Sequence, residues 1–381
     1  MIDLTVCERM SCTGCTACFS SCPKHCINMK EDEYGFLHPY INASLCIHCN
    51  ACKNVCPQNS SNLNYHYPID CYAVRANNVE KRKKSTSGGS AIALLEAFVL
   101  HGGVVYCSSF DNGIIAIRRF SQSNFSDNLV KIRGSKYAQA LLDDAFSNIK
   151  NDLSRDLKVL FISTPCQVDG LFHFLGKAPE NLYTVDLVCH GVPSQKMLFD
   201  HLKTYGLQIE NISNISFRKG PKYYLSAFNG SQIVYSKNLF YDKYLEGFLS
   251  NLSLRESCFS CLYARPERVG DITIGDFWGL SSDCELKIED GVNLVLVNTT
   301  KGKELFSLFD DKVEFEKRTV GEAVNGNAQL MVCSKPHKNR IKFRKMYLKR
   351  GFDKAIVSSR KFRTRIRYLP LVRKFILKRY E

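Results

Sequence analysis

The sequence predicts a protein of mixed α+β / α/β class, with a small cysteine-rich N-terminal domain, a larger mixed α/β domain and a basic helical C-terminal tail. Three observations support this. Cysteines recur at fixed spacing before residue 57, strand and helix patterns alternate after about residue 70, and residues 335–381 hold 18 Lys and Arg against two acids. We therefore expect domains at 1–65 and 66–334 and a tail at 335–381.

The cysteine content points to metal or redox chemistry rather than to disulfides. Of the 381 residues, 18 are cysteine. The first ten residues, MIDLTVCERM, lack the basic and apolar regions of a signal peptide, and we find no apolar run of membrane-spanning length. We therefore expect a cytoplasmic protein whose thiols stay reduced, a setting in which clustered cysteines more often bind metal than pair.

The first candidate site is a repeated cysteine motif. Its spacing, C-x2-C-x2-C-x3-C-P, occurs twice at an offset of 34 residues and is typical of four-iron, four-sulfur ([4Fe-4S]) clusters, the fourth cysteine serving the other cluster. The predicted ligands are Cys12, Cys15, Cys18 and Cys56 for cluster one, and Cys46, Cys49, Cys52 and Cys22 for cluster two, with Pro23 and Pro57 after the distal ligands. Zinc or unliganded thiols are the alternatives. This region, about residues 5–60, resembles bacterial two-cluster ferredoxin domains.

A third group of cysteines lies in the α/β region. Cys166 and Cys189 each follow a predicted buried strand, KVLFIST and NLYTVDLVC, and Cys258 and Cys261 form a CFSC pair. Because parallel strands end at one edge of a sheet, these four thiols are candidates for a third [4Fe-4S] site. The spacing alone also allows buried free thiols, a redox dithiol or half of a zinc site.

Six segments, in this order, resemble the coenzyme F-420 hydrogenase/dehydrogenase beta-subunit family. They are STSGGS (85–90), RGSKYAQA (133–140), TPCQVDGL (164–171), VCHGVPS (188–194), CFSC (258–261) and DITIGDFWG (271–279). The resemblance covers roughly residues 68–330 and suggests a bacterial branch fused to its own two-cluster domain. It implies a flavin-binding domain with FAD, and a four-iron cluster held by Cys166, Cys189, Cys258 and Cys261.

The same resemblance implies where FAD is bound. Ser87, Gly88 and Gly89 precede a predicted helix, where glycines and free backbone N–H groups suit a pyrophosphate. Lys136 would supply a point charge to phosphate, and Tyr137 would stack on a ring. The alternative is that the segment of Ser87, Gly88 and Gly89 is only a loop and that Lys136 and Tyr137 lie in an ordinary turn, without contact to FAD. No G-x-G-x-x-G fingerprint is present for nicotinamide binding.

Other polar and thiol residues receive no catalytic role. His190 is a candidate proton donor, although a hydrogen-bonding role is the commoner one for such a histidine. Asp271 and Asp276 are interpreted as loop-fixing residues, and no general acid or base is assigned. The remaining cysteines, expected to be buried or idle thiols, are Cys7, Cys26, Cys71, Cys107, Cys284 and Cys333.

The C-terminal tail mixes cations with apolar residues. Leu371, Val372, Phe375 and Ile376 have helical spacing opposite Arg373, Lys374, Lys378 and Arg379. Such a basic amphipathic helix suits an anionic membrane surface, so we expect peripheral association with the inner face of the membrane. Packing on the core and nucleic-acid binding are the alternatives, and nucleic acid is not expected as a partner.

Together these features predict an iron–sulfur flavoprotein oxidoreductase. Electrons from ferredoxin or a similar low-potential donor would pass through the clusters to FAD and on to an organic acceptor. The resemblance implies a setting in surface-polysaccharide synthesis. Two alternatives are an electron-transfer subunit that feeds a partner enzyme, and a zinc-bearing structural protein.

Overall fold

The N-terminal region folds around a short hairpin. The computed structural model describes residues 4–60, 64–288 and 291–359. The elements here are α1 (Ala17–Ser20), β1 (Ile27–Glu31), β2 (Leu37–Ile41) and α2 (Ala51–Asn54). Strands β1 and β2 pair antiparallel, with Ile27 opposite Ile41. Each short helix lies within one of the two cysteine motifs, so each motif forms a compact loop with a single helical turn.

The second region contains a long mixed sheet and its covering helices. Its elements, in chain order, are β3 (Asp70–Ala76), α3 (Val79–Lys83), α4 (Ser90–Leu100), β4 (Val104–Asp111), β5 (Ile114–Phe120), α5 (Leu129–Ile132), α6 (Ala145–Ser154), β6 (Val159–Ser163), α7 (Pro165–Leu175), β7 (Leu182–Leu187), α8 (Gln195–Lys203), β8 (Asn214–Lys219), β9 (Lys222–Asn229), β10 (Gln232–Asn238), α9 (Lys243–Leu249), β11 (Ile272–Asp276), β12 (Asn293–Val297), α10 (Thr300–Ser307), β13 (Val313–Arg318), α11 (Val320–Gly326), α12 (Arg340–Arg350) and α13 (Phe352–Ser359).

The sheet has a parallel centre and antiparallel flanks. The strand order is β13-β3-β12-β11-β7-β6-β4-β5. Strands β11, β7, β6 and β4 run parallel, whereas β5 on one side and β12, β3 and β13 on the other join antiparallel. Every residue of β6 and β12 is buried, as expected for strands covered on both faces. The carboxyl ends of the parallel strands therefore meet at one edge.

A second core lies beside this sheet. Strands β8, β9 and β10 form a small antiparallel sheet, which packs with α8, α9, α12 and α13. Phe343 and Tyr347 of α12 and Phe352 and Ile356 of α13 are buried in this core. The described part of the predicted tail, up to residue 359, therefore packs on the second region. The proposed amphipathic segment around Leu371–Ile376 lies outside the described residues.

These observations confirm the predicted fold class. One local difference is that KRKK, expected in a loop, is largely helical in α3, which Asn78 caps by accepting a hydrogen bond from the Lys81 amide. Within the described ranges, no helix combines the length and apolar character needed to cross a bilayer.

Candidate metal centres and the adjoining cavity

The first cavity, called the first thiol cavity, lies within the N-terminal region. Its wall includes four cysteines predicted as ligands of one cluster, Cys12, Cys15, Cys18 and Cys56. The first three come from the loop around α1, whereas Cys56 comes from the end of the second motif. The fold thus brings together three near neighbours and one residue from the other motif, as expected for exchange of the distal ligand.

The second thiol cavity mirrors this arrangement. It is lined by the other predicted set, Cys22, Cys46, Cys49 and Cys52. Cys22 comes from the first motif, and Pro23 beside it also lines this cavity. Cys49 is exposed, whereas Cys22 is buried. The second thiol cavity therefore has the more exposed predicted ligand of the pair.

A third thiol cavity lies at the carboxyl edge of the parallel strands. Cys166 follows β6 in the first turn of α7, and Cys189 follows β7. Cys258 and Cys261 come from the turn after α9, and all four thiols line the same cavity. Burial raises the pKa of Cys189 to about 12 and that of Cys258 to about 11. Metal binding here must therefore displace the thiol protons.

Each thiol cavity contains one further cysteine that spacing did not single out. Cys7 lines the first, Cys26 the second and Cys333 the third. The sulfurs of Cys22 and Cys26 are 3.4 Å apart, and Cys333 Sγ donates to the carbonyl oxygen of Phe259. Their proximity depends on loop conformation, because none of them follows a recurring spacing. The other three, Cys71, Cys107 and Cys284, line none of these cavities.

In each of the three sets, the four predicted ligands line the wall of a cavity. In the parts of the chain that the structure describes, no group of three or more His, Cys, Asp or Glu side chains is close enough to hold a single metal ion. A tetrahedral zinc site would hold its sulfurs about 3.8 Å apart, given Zn–S bonds of about 2.3 Å. A four-iron cube is larger and binds one thiolate at each iron, which fits four cysteines spread over the wall of a cavity.

The first and third thiol cavities share a wall. Thr13 and Gln58 line both of them. Helix α7, which carries Cys166 in its first turn, also contacts the first cluster loop. A Cβ atom added to Gly170 would lie 2.8 Å from the Cβ of Cys15. Glycine at this position therefore allows the helix that carries Cys166 to pack directly against a predicted ligand of cluster one.

A larger cavity of about 340 Å³ adjoins the third thiol cavity. Cys166, Cys189 and His190 line both. The wall also includes the carboxyl ends of β6, β7 and β11, the start of α4 and most of the segment 132–140. A site of this size at the carboxyl edge of parallel strands is typical of a ligand or cofactor pocket.

The STSGGS loop meets this large cavity only in part. Gly89 lines it, whereas Ser87 and Gly88 pack against β12. The amides of Gly88 and Ser90 donate to Asn293 Oδ1 at 3.3 and 3.0 Å. The expectation that the N–H group of Gly88 is free for an anion is therefore not met, because an asparagine from β12 occupies it.

Lys136 and Tyr137 both line the large cavity. The ammonium of Lys136 donates to three carbonyl oxygens at the end of α5, and burial lowers its pKa to about 8. The ring of Tyr137 stacks on Phe248 at 4.9 Å, and its hydroxyl accepts from Arg218. Tyr137 is therefore held rigidly beside the cavity, and Lys136 provides a buried cation near it.

The other polar residues considered from sequence serve different purposes. Asp271 accepts hydrogen bonds from Thr184 and Thr299, which fixes the loop before β11 as expected. Asp276 lines the large cavity and pairs with Arg218 at 3.1 Å. His190 Nδ1 lies 3.1 Å from Gln329 Nε2, and burial lowers the pKa of its imidazole.

The N-terminal fold and its two sets of thiols define an iron–sulfur electron-transfer protein. Comparison with known families agrees. Residues 11–60 match the family model of the 4Fe-4S dicluster domain. Residues 156–322 match the family model described as the C terminus of the coenzyme F420 hydrogenase/dehydrogenase beta subunit. The chain therefore combines a segment that matches an iron–sulfur domain with one that matches a subunit of redox enzymes. The segments around Ser87 and Lys136, which are the predicted FAD contacts, lie outside both matched ranges.

Comparison with individual proteins adds less. No curated protein matches the chain. Among solved structures, it is similar to a chain in a xenon-derivatised F420-reducing [NiFe] hydrogenase complex from Methanosarcina barkeri. The sequence identity is 19%, the TM-score is 0.45, and the alignment covers 77% of this chain and 91% of that one.

Proposed function

We propose that this protein is an iron–sulfur flavoprotein oxidoreductase. It takes electrons one at a time from a ferredoxin-type donor, passes them through three [4Fe-4S] clusters and delivers them as pairs to an organic acceptor. The predicted ligands are the cysteine sets of the three thiol cavities. The observation that carries the proposal is continuity. The first thiol cavity shares wall residues with the third, and the third shares them with the large cavity. Cys18 and Cys56 of the first thiol cavity also pack in one buried cluster with Cys22 of the second.

The shared walls set the order of the sites. Thr13 and Gln58 separate the first thiol cavity from the third, and Cys166 and Cys189 separate the third from the large cavity. The second thiol cavity has the most exposed predicted ligand, Cys49. Entry at cluster two, relay at cluster one and exit through the third cluster follow from this arrangement.

We assign FAD to the large cavity because its walls suit a flavin. Apolar side chains of Ile92, Leu95 and Ile162 line one part of it, and the polar residues Lys136 and Asn293 lie at another. When bound, a flavin couples one-electron donors to two-electron chemistry. Lys136 would balance phosphate charge, Gly89 would allow close approach, and Tyr137 would flank the ring system.

The donor surface lies around the second thiol cavity. Leu45 and Ile47 are each 55% exposed beside Cys46 and Cys49. Lys24 and Lys53 are exposed nearby, and residues 42–60 contain no Asp or Glu. An apolar patch bordered by cations suits a small acidic electron carrier. Reduction of the clusters by such a carrier should therefore slow as the salt concentration rises. The double variant Lys24→Glu, Lys53→Glu should also slow this reduction at low salt.

Anaerobic reconstitution tests the proposal directly. We expect about 12 iron atoms per chain and FAD released on denaturation. Cys166→Ser should reduce iron to about 8 per chain, whereas the matched control Cys284→Ser, which lies outside these cavities, should not. A full iron complement in Cys166→Ser would contradict the third cluster, and zinc without labile sulfide would contradict all three.

The acceptor is addressed by a second measurement on the reconstituted protein. The family resemblance supports a sugar-containing acceptor of surface-polysaccharide synthesis. We expect ferredoxin-driven turnover of at least one glycan precursor, followed as reoxidation of the flavin absorbance. Reoxidation by no precursor would restrict the function to electron transfer.

An electron-transfer subunit without its own substrate is the second candidate. The observation that favours it is an apolar rim near the exit end, because Leu262 and Val332 line the third thiol cavity and Trp278 the large one, and all three are exposed. Such a rim is typical of a protein interface. Clusters without bound flavin would favour this candidate.

A further inference from the structure

A single arginine joins the two iron–sulfur regions. Arg255 is 2% exposed and lies three residues before Cys258. Its Nε donates to the carbonyl oxygen of Cys12 at 2.7 Å, and one terminal nitrogen lies 3.6 Å from Cys12 Sγ and 2.7 Å from the carbonyl oxygen of Leu37. The other terminal nitrogen donates to Gln139 at 3.0 Å. A residue of the second region thus binds the loop of the N-terminal region that carries Cys12.

Among the described residues, the charge of this guanidinium has no carboxylate partner. All its hydrogen-bond partners within those ranges are carbonyl oxygens, an amide oxygen or the sulfur of Cys12. Arg268, the other fully buried arginine of this edge, instead pairs with Asp186 at 3.0 Å. An unpaired buried cation is costly, so an anion is expected close to it. Among these contacts, the one anionic candidate is the Cys12 thiolate.

We propose that Arg255 is a positioning and charge-balancing residue for cluster one. It makes cluster one easier to reduce and holds this cluster next to the third one. This inference rests on the proposed function only in requiring that cluster one is bound. Four thiolates, four sulfides and two Fe³⁺ with two Fe²⁺ give a net charge of −2, and one added electron makes it −3. A fixed positive charge at a ligand sulfur stabilises the more negative state and therefore raises the reduction potential.

The backbone of Arg255 ties this effect to the third site. Its amide donates to the carbonyl oxygen of Val192, and its carbonyl oxygen accepts from the amide of Cys258. Arg255 also lines the third thiol cavity. Gln139, which receives one hydrogen bond from Arg255, donates to the carbonyl oxygen of Thr13 at 2.8 Å. The same side chain therefore fixes the separation of the two sites.

The effect should be confined to one of the two N-terminal clusters. The described contacts of Arg255 reach Cys12 and Leu37 and include none of the cysteines of the second thiol cavity. His38 is the other ionisable cation beside Cys12, but it also pairs with Asp32 at 3.4 Å. All potentials should therefore be compared at one pH.

The test is a dithionite titration of the reconstituted protein followed by EPR. In Arg255→Gln we expect reduction of cluster one to become at least about tenfold less favourable, which is about 59 mV for a one-electron couple, while cluster two stays unchanged. Arg255→Lys, which keeps the charge, should restore most of the shift. Cys49→Ser, by altering the cluster-two signal, identifies which signal belongs to which cluster.

Arg9→Gln is the matched control. Arg9 is also close to Cys12 in sequence but its side chain is 66% exposed and near Asp32, so both potentials should remain as in the wild type.

Equal cluster-one potentials in wild type and Arg255→Gln would overturn the proposal, as would a shift confined to cluster two. If Arg255→Gln does not assemble with clusters, the comparison of Arg255→Lys with wild type decides. Reduction of cluster one that is about tenfold less favourable in Arg255→Lys would show that geometry rather than charge matters. That result would overturn the charge-balancing role. Absence of flavin or acceptor would leave this test intact.

Discussion

At the scale of single residues, the buried imidazole of His201 has a partner at each of its ring nitrogens. His201 is fully buried between Asp353, 2.6 Å from its Nδ1, and Asp242, 3.2 Å from its Nε2. Tyr235 also contacts its Nε2 at 3.0 Å, and Lys243 pairs with Asp353. This network joins α8, α9, β10 and α13. It therefore attaches the last described helix to the core of the second region.

The network predicts a pH-dependent contribution to stability. Burial lowers the pKa of His201, but hydrogen bonds to Asp242 and Asp353 outweigh it and leave the pKa raised. The stabilising contribution is then complete below the ordinary histidine pKa and is lost as pH rises through the raised folded value. We expect His201→Gln to lower the free energy of unfolding by about 3 kcal/mol at pH 6, and the deficit to shrink as the pH approaches 9.

The measurement is the melting temperature of both proteins across this pH range. Burial raises the pKa of Asp353, but the hydrogen bond and charge of His201 outweigh it and leave the pKa lowered. The contribution of Asp353 to the free energy of unfolding is therefore lost only as the pH falls below the usual carboxyl range. A difference between wild type and His201→Gln that does not change from pH 6 to pH 9 would refute a charged histidine.

Exchange of the distal ligands gives a second prediction at this scale. Cys22→Ser should alter the EPR signal of cluster two and leave that of cluster one, although Cys22 belongs to the first motif. Because Cys26 Sγ lies 3.4 Å from Cys22 Sγ, the single variant can regain a thiolate ligand from Cys26. The double variant Cys22→Ser, Cys26→Ser should lose about four iron atoms per chain. Loss of the cluster-one signal in either variant would refute the exchange.

At the scale of elements, contacts between α7 and the first cluster loop join the two regions. The absence of a side chain at Gly170 makes this contact possible, since an added Cβ would lie 2.8 Å from Cys15 Cβ and 3.0 Å from its sulfur. We expect Gly170→Ala to destabilise the protein by about 1–3 kcal/mol despite the higher helix propensity of alanine. It should also broaden the cluster-one signal more than that of cluster two.

Gly321→Ala provides the matched control for this substitution. Gly321 is also helical, in α11, but the nearest atom to an added Cβ is Thr319 Oγ1 at 3.9 Å. That variant should be neutral or slightly stabilising in thermal unfolding. Equal melting temperatures for Gly170→Ala and wild type would show that the contact is not tight.

Local patterns predicted the parallel strands and the cysteines that follow them well. KVLFIST and NLYTVDLVC are buried strands, and Cys166 and Cys189 follow them at the same sheet edge. What local patterns could not predict depends on contacts between distant residues. Examples are the hydrogen bond from Arg255 to Cys12, across 243 positions, and the capture of the Gly88 amide by Asn293. The extra thiols of Cys7, Cys26 and Cys333 likewise follow no spacing rule.

At the scale of the whole molecule, charge is distributed unevenly. Residues 335–381 hold 18 Lys and Arg against two acids, so the first 334 residues are close to neutral. The first part of this segment is structural, because Phe343 and Phe352 are buried and Arg340 pairs with Glu256 at 2.7 Å. We therefore propose that membrane association resides in residues 360–381 rather than in the full predicted tail.

Truncation separates these two roles. A chain ending at residue 359 should retain its melting temperature and cluster content but lose co-sedimentation with vesicles containing anionic lipid. A chain ending at residue 334 should be destabilised, because it loses the buried side chains of α12 and α13. Equal vesicle binding by the full chain and the chain ending at 359 would contradict membrane attachment through these last residues.

The position of β3 has a consequence for how the protein is made. This strand directly follows the cysteine-rich region, yet it pairs on one side with β12 and on the other with β13, both some 220 or more residues later in the sequence. On the ribosome, the N-terminal region emerges first and can fold as a unit. The sheet, by contrast, stays open at β3 until β12 and β13 have been synthesised. Iron–sulfur assembly factors would therefore encounter the first two cluster loops on a nascent chain, well before the third site exists.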